Sequence, residues 1–459
     1  MLTIYADRQL SFADYLLPEA LAKNELLTQV DTILSSELEL LQPLINAYLK
    51  DRKTKGIDTG FGRPTIALET FIRMLLLKYL YKNCDLREVE NRTKTDLAWK
   101  AFVRLSCEAK VPDFTSLNKW ELFFGERIVR ELHDKLITYC QKQRLVKGKT
   151  FRTDTTVTEA NIHYPTDASL LRDVVRVVTR TVQKIKTAVK AKVLFRSRIK
   201  TIQQRVYGIA KVLKNRTNQA KIRVKQLTGE IAAITSKVLH EAEVVSKQVT
   251  KQAGMMSLAL GLALDKQLTL GKQLLEQTLQ VLAGAKIQDR IVSFFQPRMR
   301  PISKGKLGKS VEFGKKVEIT ESEHNIITDY QIHVGNPNDA NLFLQGVKRH
   351  EQRFKHSPSL VATDRGGWSE ENLTELKLMG VKHISIPKRG YKTKQRTRTE
   401  HSQWFQAAQR WRAGGEGKIS WLKRSFGMGR SKAKTEHGFD TGIAMAVLAC
   451  NLKQITLVT

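Results

Sequence analysis

The sequence predicts a mixed α/β layer domain, preceded by an all-helical domain and interrupted by a long helical, coiled-coil-like insertion. Three observations predict it. The first 150 residues carry short amphipathic segments with capping residues between them. No proline occurs between Pro165 and Pro297, where apolar residues recur in steps of three and four. From about residue 305, strand-like and helix-like segments alternate.

In the N-terminal part, Ile66, Leu68, Phe71, Ile72, Leu75, Leu76, Leu77 and Leu80 mark a buried helix, with Pro64 of the Gly62–Pro64 turn as its starting residue. Asp85 is placed to cap LREVENR and Asp96 to cap LAWKAFV. Asp113, Thr115 and Ser116 open a further amphipathic helix. Short helices with tight turns fit either a helix-turn-helix-like module or an ordinary bundle. In the insertion, Leu171, Val175, Val178, Val182, Ile185 and Val189 form one seam, and Ile199, Ile202, Val206, Ile209 and Leu213 resume it. Arg172, Arg176, Arg180 and Lys184 stand four apart on another face, as a solvated stripe or a DNA-facing one. KTFRTDTTV reads as a strand before the insertion. VEFGKKVEIT and NIITDYQIHVG read as paired strands after it, with a turn near 321–325. NLFLQGVKRHEQRFK and SEENLTELKLMG read as helices, and SLVATD and VKHISIPK as strands.

The 459 residues contain 78 Lys+Arg against 45 Asp+Glu, a net charge of +33, and that excess is clustered. Residues 1–150 are nearly balanced, with 24 basic and 20 acidic side chains, whereas 151–300 hold 27 against 10 and 388–434 hold 14 against 2. Local arrays of Lys and Arg suit a phosphate backbone, so DNA is the expected partner. The four cysteines are scattered without a C-x-x-C pair, which argues against a disulfide scaffold or a Cys-based zinc site. The longest apolar run, Ala253–Leu264, is too short to cross a bilayer, and the N-terminus lacks a secretory signal. A soluble, cytoplasmic protein with no membrane partner is expected.

Two carboxylates stand where chemistry is commonly placed. Asp154 lies within a strand, and Asp364 ends one before the turn RGGW. Such carboxylates hold hard divalent cations, above all Mg²⁺; for either Asp alone, a cap or turn former is the ordinary role. Arg412, Glu416 and Lys423 stand as R-x₃-E-x₆-K, which on one helix places them on roughly one face. A carboxylate for metal beside cations for phosphate suits DNA cleavage; an exposed i,i+4 ion pair is the plain alternative. Gly414, Gly415 and Gly417 weaken a helix here, so Arg412 is expected before its start. Glu436 and Asp440 compete with Glu416 for the third place, and His437 is a possible further metal neighbour or a structural histidine.

These pieces together resemble the bacterial insertion-sequence transposases of the DDE type, in the branch marked by Y-x₂-R-x₃-E-x₆-K. The resemblance rests on FRTDTTVTEANIHYPTDASLL with Asp154, LVATDRGGWSEEN with Asp364, and EGKISWLKR with Glu416. GRPTIALETFIRMLLLKYL, LREVENR and VPDFTSLNKW resemble the N-terminal domain of the same group. It implies an RNase H-like α/β catalytic core, with Asp154, Asp364 and Glu416 as catalytic and metal-binding residues for two Mg²⁺ ions that Mn²⁺ can replace. Arg412 and Lys423 match the phosphate-contacting pair. Two features depart from the branch: Gln409 stands where its Tyr is usual, and the large insert follows Asp154 instead of Asp364.

The expected division is 1–146 as a helical N-terminal DNA-binding domain, 147–166 with 301–459 as the catalytic domain, and 167–300 as the helical insertion. Further DNA contacts are expected from Arg365, from Trp368 by stacking, and from Lys388, Arg389, Lys392 and Lys394 in a basic phosphate-binding loop. Arg172, Arg176 and Arg180 of the insertion are expected to join them. The expected activity is DNA strand cleavage at element ends and strand transfer into target DNA by a homodimer. A nuclease that cuts without joining, and an inactive or domesticated DNA-binding copy, are the alternatives.

Overall fold

The computed structural model describes residues 3, 14–36, 41–56, 66–189, 194–215, 217–250, 255–303 and 311–459. The Gly62–Pro64 helix start and the side chain of Val189 lie outside the described residues. The chain divides into two compact units, one of residues 1–161 with 314–459 and one of residues 162–313.

In the first unit, helices α1 (Leu16–Ala22), α2 (Glu25–Ser36), α3 (Gln42–Thr54), α4 (Leu68–Leu80), α5 (Leu86–Thr95), α6 (Leu97–Phe102) and α7 (Phe114–Lys142) precede strand β1 (Thr150–Glu159). The capping residues act as their sequence positions predict. Asp85 accepts from the Arg87 amide, Asp96 from those of Ala98 and Trp99, and Asp113 from those of Thr115 and Ser116. Each satisfies helix-end N–H groups that have no intrahelical partner. Helix α4 is buried almost all round, which forces its one arginine into an internal network. Arg73 pairs with Glu69 at 3.0 Å and Asp31 at 2.7 Å and donates to the Phe102 carbonyl. Helix α7 is interrupted at Gly125 (φ 62°), a left-handed position open to glycine.

After the second unit come β3 (Val311–Glu321), β4 (Ile327–His333), α12 (Asp339–Phe354), β5 (Leu360–Ala362), α13 (Glu370–Leu378) and β6 (His383–Ser385). Helices α14 (Lys394–Glu400), α15 (Gln403–Ser425) and α16 (Glu436–Ile455) close the chain. Strand β1 is central to a mixed sheet. It pairs antiparallel with β3, which pairs antiparallel with β4, while β5 runs parallel to β1 and β6 parallel to β5. Phe151, Val361, Ile386, Phe343, Val347 and Leu376 form the apolar layer between this sheet and helices α12 and α13. Helix α15 lies against β1, β5 and β6. Helix α16 is apolar on nearly every side and packs against α7 and α4, so the N-terminal helices and the sheet belong to one unit.

The second unit contains helices α8 (Asp167–Val189), α9 (Ile199–Val212), α10 (Asn218–Thr250) and α11 (Met255–Leu282), and a short strand β2 (Arg300–Ser303). Leu171, Val175, Val178, Val182 and Ile185 are fully buried and pack with Ile202 of α9, Ile231, Val238 and Val245 of α10, and Leu264 and Leu274 of α11. The three-four spacing therefore marks a core seam. Leu213 departs from that expectation: α9 ends at Val212, and Leu213 is 58% exposed just beyond it. No described helix is long and apolar enough to cross a membrane.

Candidate active site

Parallel pairing of β1 and β5 sets the first part of the site. Thr150, Phe151 and Arg152 lie opposite Leu360, Val361 and Ala362, so Asp154 within β1 and Asp364, two residues beyond the end of β5, follow at equal steps. Asp364 starts a tight turn, where its Oδ1 accepts from the Gly366 amide at 2.7 Å. A Cβ on Gly366 would stand 2.7 Å from that oxygen and 3.2 Å from the Asp339 Cβ, so only glycine lets the turn close here. Asp154 Oδ1 accepts from the Thr155 amide at 2.8 Å.

Helix α15 supplies the third carboxylate. The expectation that Arg412 precedes this helix is corrected by the structure: α15 runs unbroken from Gln403 to Ser425, with Arg412 in its middle. The glycines serve close packing on β1. A Cβ on Gly414 would lie 3.0 Å from Arg152 Nη1, and one on Gly415 3.4 Å from Glu321 Oε1. Packing of the helix on the sheet outweighs the glycine penalty, which is about 1 kcal/mol per residue relative to alanine.

The charges of Asp364, Glu416 and Arg412 all act on Asp154. Burial pushes the Asp154 carboxyl up to about 6; the Thr155 amide opposes this, Asp364 adds to it, Arg412 opposes and Glu416 adds. Glu416 is largely exposed and turned toward Arg412, whose Nη2 donates to Glu416 Oε1 at 3.1 Å. Among the described residues no three His, Cys, Asp or Glu side chains stand close enough together to hold an ion as they are. The donor set nonetheless suits a hard cation, being all carboxylate oxygen. Arg412 Nε is buried and has no hydrogen-bond partner among the described residues, an unspent donor beside the carboxylates.

Residues that the sequence did not single out complete the surroundings. Asp339, at the start of α12, accepts from the Thr155 hydroxyl at 3.2 Å and pairs with Lys316 at 2.6 Å. Arg152, two residues before Asp154 and on the same face of β1, is buried. It pairs with Glu321 at 2.7 Å and donates to the Asn325 side chain and the Trp411 carbonyl. A charged residue at i−2 of a catalytic strand position was the available signal; its partner lies 169 residues away.

The rival carboxylates are otherwise engaged. Glu436 and Asp440 both accept from the buried Lys315 ammonium at 2.8 Å. His437 is hydrogen-bonded to the Leu122 carbonyl at 2.6 Å and fills the space over Gly125, as a structural histidine. Gln409 donates to the Ser385 carbonyl at 2.8 Å and to that of Thr363 at 3.3 Å, anchoring α15 across the ends of β5 and β6. Position 409, where the branch usually has Tyr, thus faces the sheet.

The expected basic loop is corrected in part. Lys394 begins the short helix α14. Lys392 pairs with Glu400 at 2.6 Å, and Lys388 lies 3.5 Å from Glu370. Arg389 and Lys394 are exposed. Trp368 is half-buried, with Arg396 over its ring at 4.8 Å and Lys388 at 5.5 Å. Arg365 is exposed beside Asp364, and Lys423 lies half-buried in the last turn of α15. In the second unit, Arg180 is exposed, while Arg176 and Arg172 lie 3.1 and 3.6 Å from the buried Asp173 carboxylate.

Comparison with known families matches residues 17–121 to the Transposase domain (DUF772) and residues 295–452 to the Transposase DDE domain. The second match spans Asp364 and Glu416; Asp154 precedes it, beyond the insertion. No curated protein and no solved structure matches the chain. Carrying both domains in order, the chain belongs to the insertion-sequence transposases of the DDE type.

Proposed function

We propose that this transposase cleaves DNA at the ends of its element and joins the freed end to target DNA, with Asp154, Asp364 and Glu416 as the catalytic carboxylates on an RNase H-like core. The reading is supported by the register of β1 and β5, which carries Asp154 and Asp364 forward at equal steps, and by Arg412, which pairs with Glu416 while its Nε is buried and unpaired among the described residues. Three carboxylates and an unspent guanidinium donor form a place for cations and a phosphodiester together.

Asp154, Asp364 and Glu416 would hold two Mg²⁺ ions, which supply activation of the attacking oxygen and stabilisation of the leaving one when bound. Glu416 would have to leave Arg412 to do so, and the guanidinium would then be free to donate to a phosphate oxygen. Lys423, two turns further along α15, adds a second cation. In the first step a water oxygen bonds to phosphorus while the P–O3′ bond breaks, leaving a 3′-OH and a 5′-phosphate. In the second, that 3′-OH attacks a target phosphodiester by the same in-line displacement. Arg365, Arg389 and Lys394 are exposed cations suited to the flanking backbone. The N-terminal helices would recognise the terminal repeats. The second unit, with its own apolar core and exposed Arg180 and Lys184, would hold a homodimeric synapse or clasp DNA.

Asp364→Asn tests this reading. Cleavage of DNA carrying the element ends is expected to vanish while DNA binding persists; a variant that still cuts would refute the assignment.

A further inference from the structure

A carboxylate on a helix, one on a strand and one just past a strand work together only if the helix cannot slide on the sheet. We propose that Arg152 is the positioning residue that fixes α15 on β1, and so sets Glu416 against Asp154, with Gly414 and Gly415 as the seat that receives it. This deepens, and rests on, the assignment of Asp154, Asp364 and Glu416.

Arg152 is 3% exposed, so it touches no substrate, yet it stands two residues from Asp154 on the same strand face. Its guanidinium spends its donors in a fixed fan. Nη2 donates to Glu321 Oε2 at 2.7 Å and to Asn325 Oδ1 at 3.0 Å, and Nε to Glu321 Oε1 at 3.2 Å. Nη1 donates to the Trp411 carbonyl, less than two turns before Glu416 in α15. The Trp411 ring lies 4.9 Å from the guanidinium carbon. One side chain therefore binds the neighbouring strand β3 and the backbone of the catalytic helix at once.

The helix is shaped to receive it. Gly414 and Gly415 pass over the Arg152–Glu321 pair: a Cβ on Gly414 would crowd Arg152 Nη1 at 3.0 Å, and one on Gly415 would just touch Glu321 Oε1 at 3.4 Å. Gly417, the third glycine of the run, has nothing within 4 Å of where its Cβ would be. The two glycines before Glu416 thus meet the guanidinium, and the one after it does not. A planar guanidinium with several directed donors can hold this geometry, whereas a lysine ammonium keeps the charge but loses the fan. Since Mg²⁺ demands near-ideal octahedral geometry, a small shift of Glu416 falls directly on metal binding.

The test uses the full chain as wild type and as Asp154→Asn, Glu416→Gln, Arg152→Lys, Gly414→Ala and Met445→Ala. Met445 is buried in α16 and serves as a control for lost stability alone. Two quantities are measured: the Mg²⁺ concentration that half-saturates the rise in melting temperature without DNA, and the cleavage rate at saturating DNA. Arg152→Lys and Gly414→Ala are expected to need tenfold or more Mg²⁺ and to cut tenfold or more slowly, with Mn²⁺ restoring part of the rate. Met445→Ala is expected to melt earlier with an unchanged Mg²⁺ midpoint. Gly414→Ala keeps every charge and hydrogen-bonding group, so it decides the matter if Arg152→Lys does not fold. Loss of cutting in Asp154→Asn and Glu416→Gln, with wild-type rate and Mg²⁺ midpoint in Arg152→Lys or Gly414→Ala, would overturn this inference alone. Cutting by Asp154→Asn or Glu416→Gln would overturn the site assignment and this inference with it.

Discussion

Two sets of carboxylates in the first unit are balanced differently. Glu436 and Asp440 share the buried Lys315 ammonium, at 2.8 Å from each. Burial raises the Asp440 carboxyl, the Lys315 hydrogen bond and charge oppose it, and Glu436 adds to the rise. Among the described residues, Asp154, Asp364 and Glu416 share no buried ammonium of this kind. Arg412 pairs with the exposed Glu416 and leaves its Nε unspent. A cluster that carries its own counter-ion is a strut, whereas one that lacks it is a place where a cation from solution is favoured.

The largest expected effect that separates the two clusters is on cleavage. Asp154→Asn should lower the cutting rate by about 10³-fold, roughly 4 kcal/mol of barrier, whereas Asp440→Asn should stay within about threefold. A time course on end-containing DNA measures both, and equal losses would erase the distinction.

Stability should reverse that order. Lys315→Met leaves two carboxylates against each other and should cost about 2–3 kcal/mol in urea unfolding, below the range for a fully buried pair because both acids are partly exposed. An unchanged midpoint would show that solvent screens this cluster.

Asp154→Asn should instead stabilise the metal-free protein. The Asp154 carboxyl titrates at about 6 when folded, against roughly 3.9 unfolded, so the folded state binds its proton more tightly. Stability is therefore lost as pH rises from about 4 to 6, and the penalty persists above that. Screening by solvent at the partly exposed side chain reduces the effect to about 1–2 kcal/mol at pH 8. The wild-type and Asp154→Asn unfolding curves should converge at pH 4; parallel curves at every pH would contradict the assignment.

The smallest effect is a shift of a few degrees. Mg²⁺ should raise the melting temperature of the wild type and of Glu436→Gln, and raise that of Glu416→Gln less, because ligands stabilise only the state that binds them. Equal shifts in all three would place the ion elsewhere.

The sequence announced what local rules control. Asp85, Asp96 and Asp113 cap helices because a cap is decided within three residues. The α8 seam was legible because burial repeats with the helical turn. Strand order, and with it the approach of Asp154 to Asp364, was not, since it depends on pairing across some 200 residues. A separation of 169 residues likewise hid the Arg152–Glu321 pair. The glycine run misled for a related reason: propensity argued against a helix, while contact with β1 required small residues in one. Leu213 failed because apolar spacing continues past the residue where the helix ends.

The most direct measurement is Mg²⁺-dependent cleavage of the DNA that flanks the gene, comparing wild type with Glu416→Gln. The account predicts cutting at a discrete end by the wild type, lost in Glu416→Gln while DNA binding is retained. Cutting by both proteins, or binding without cutting by both, would contradict it.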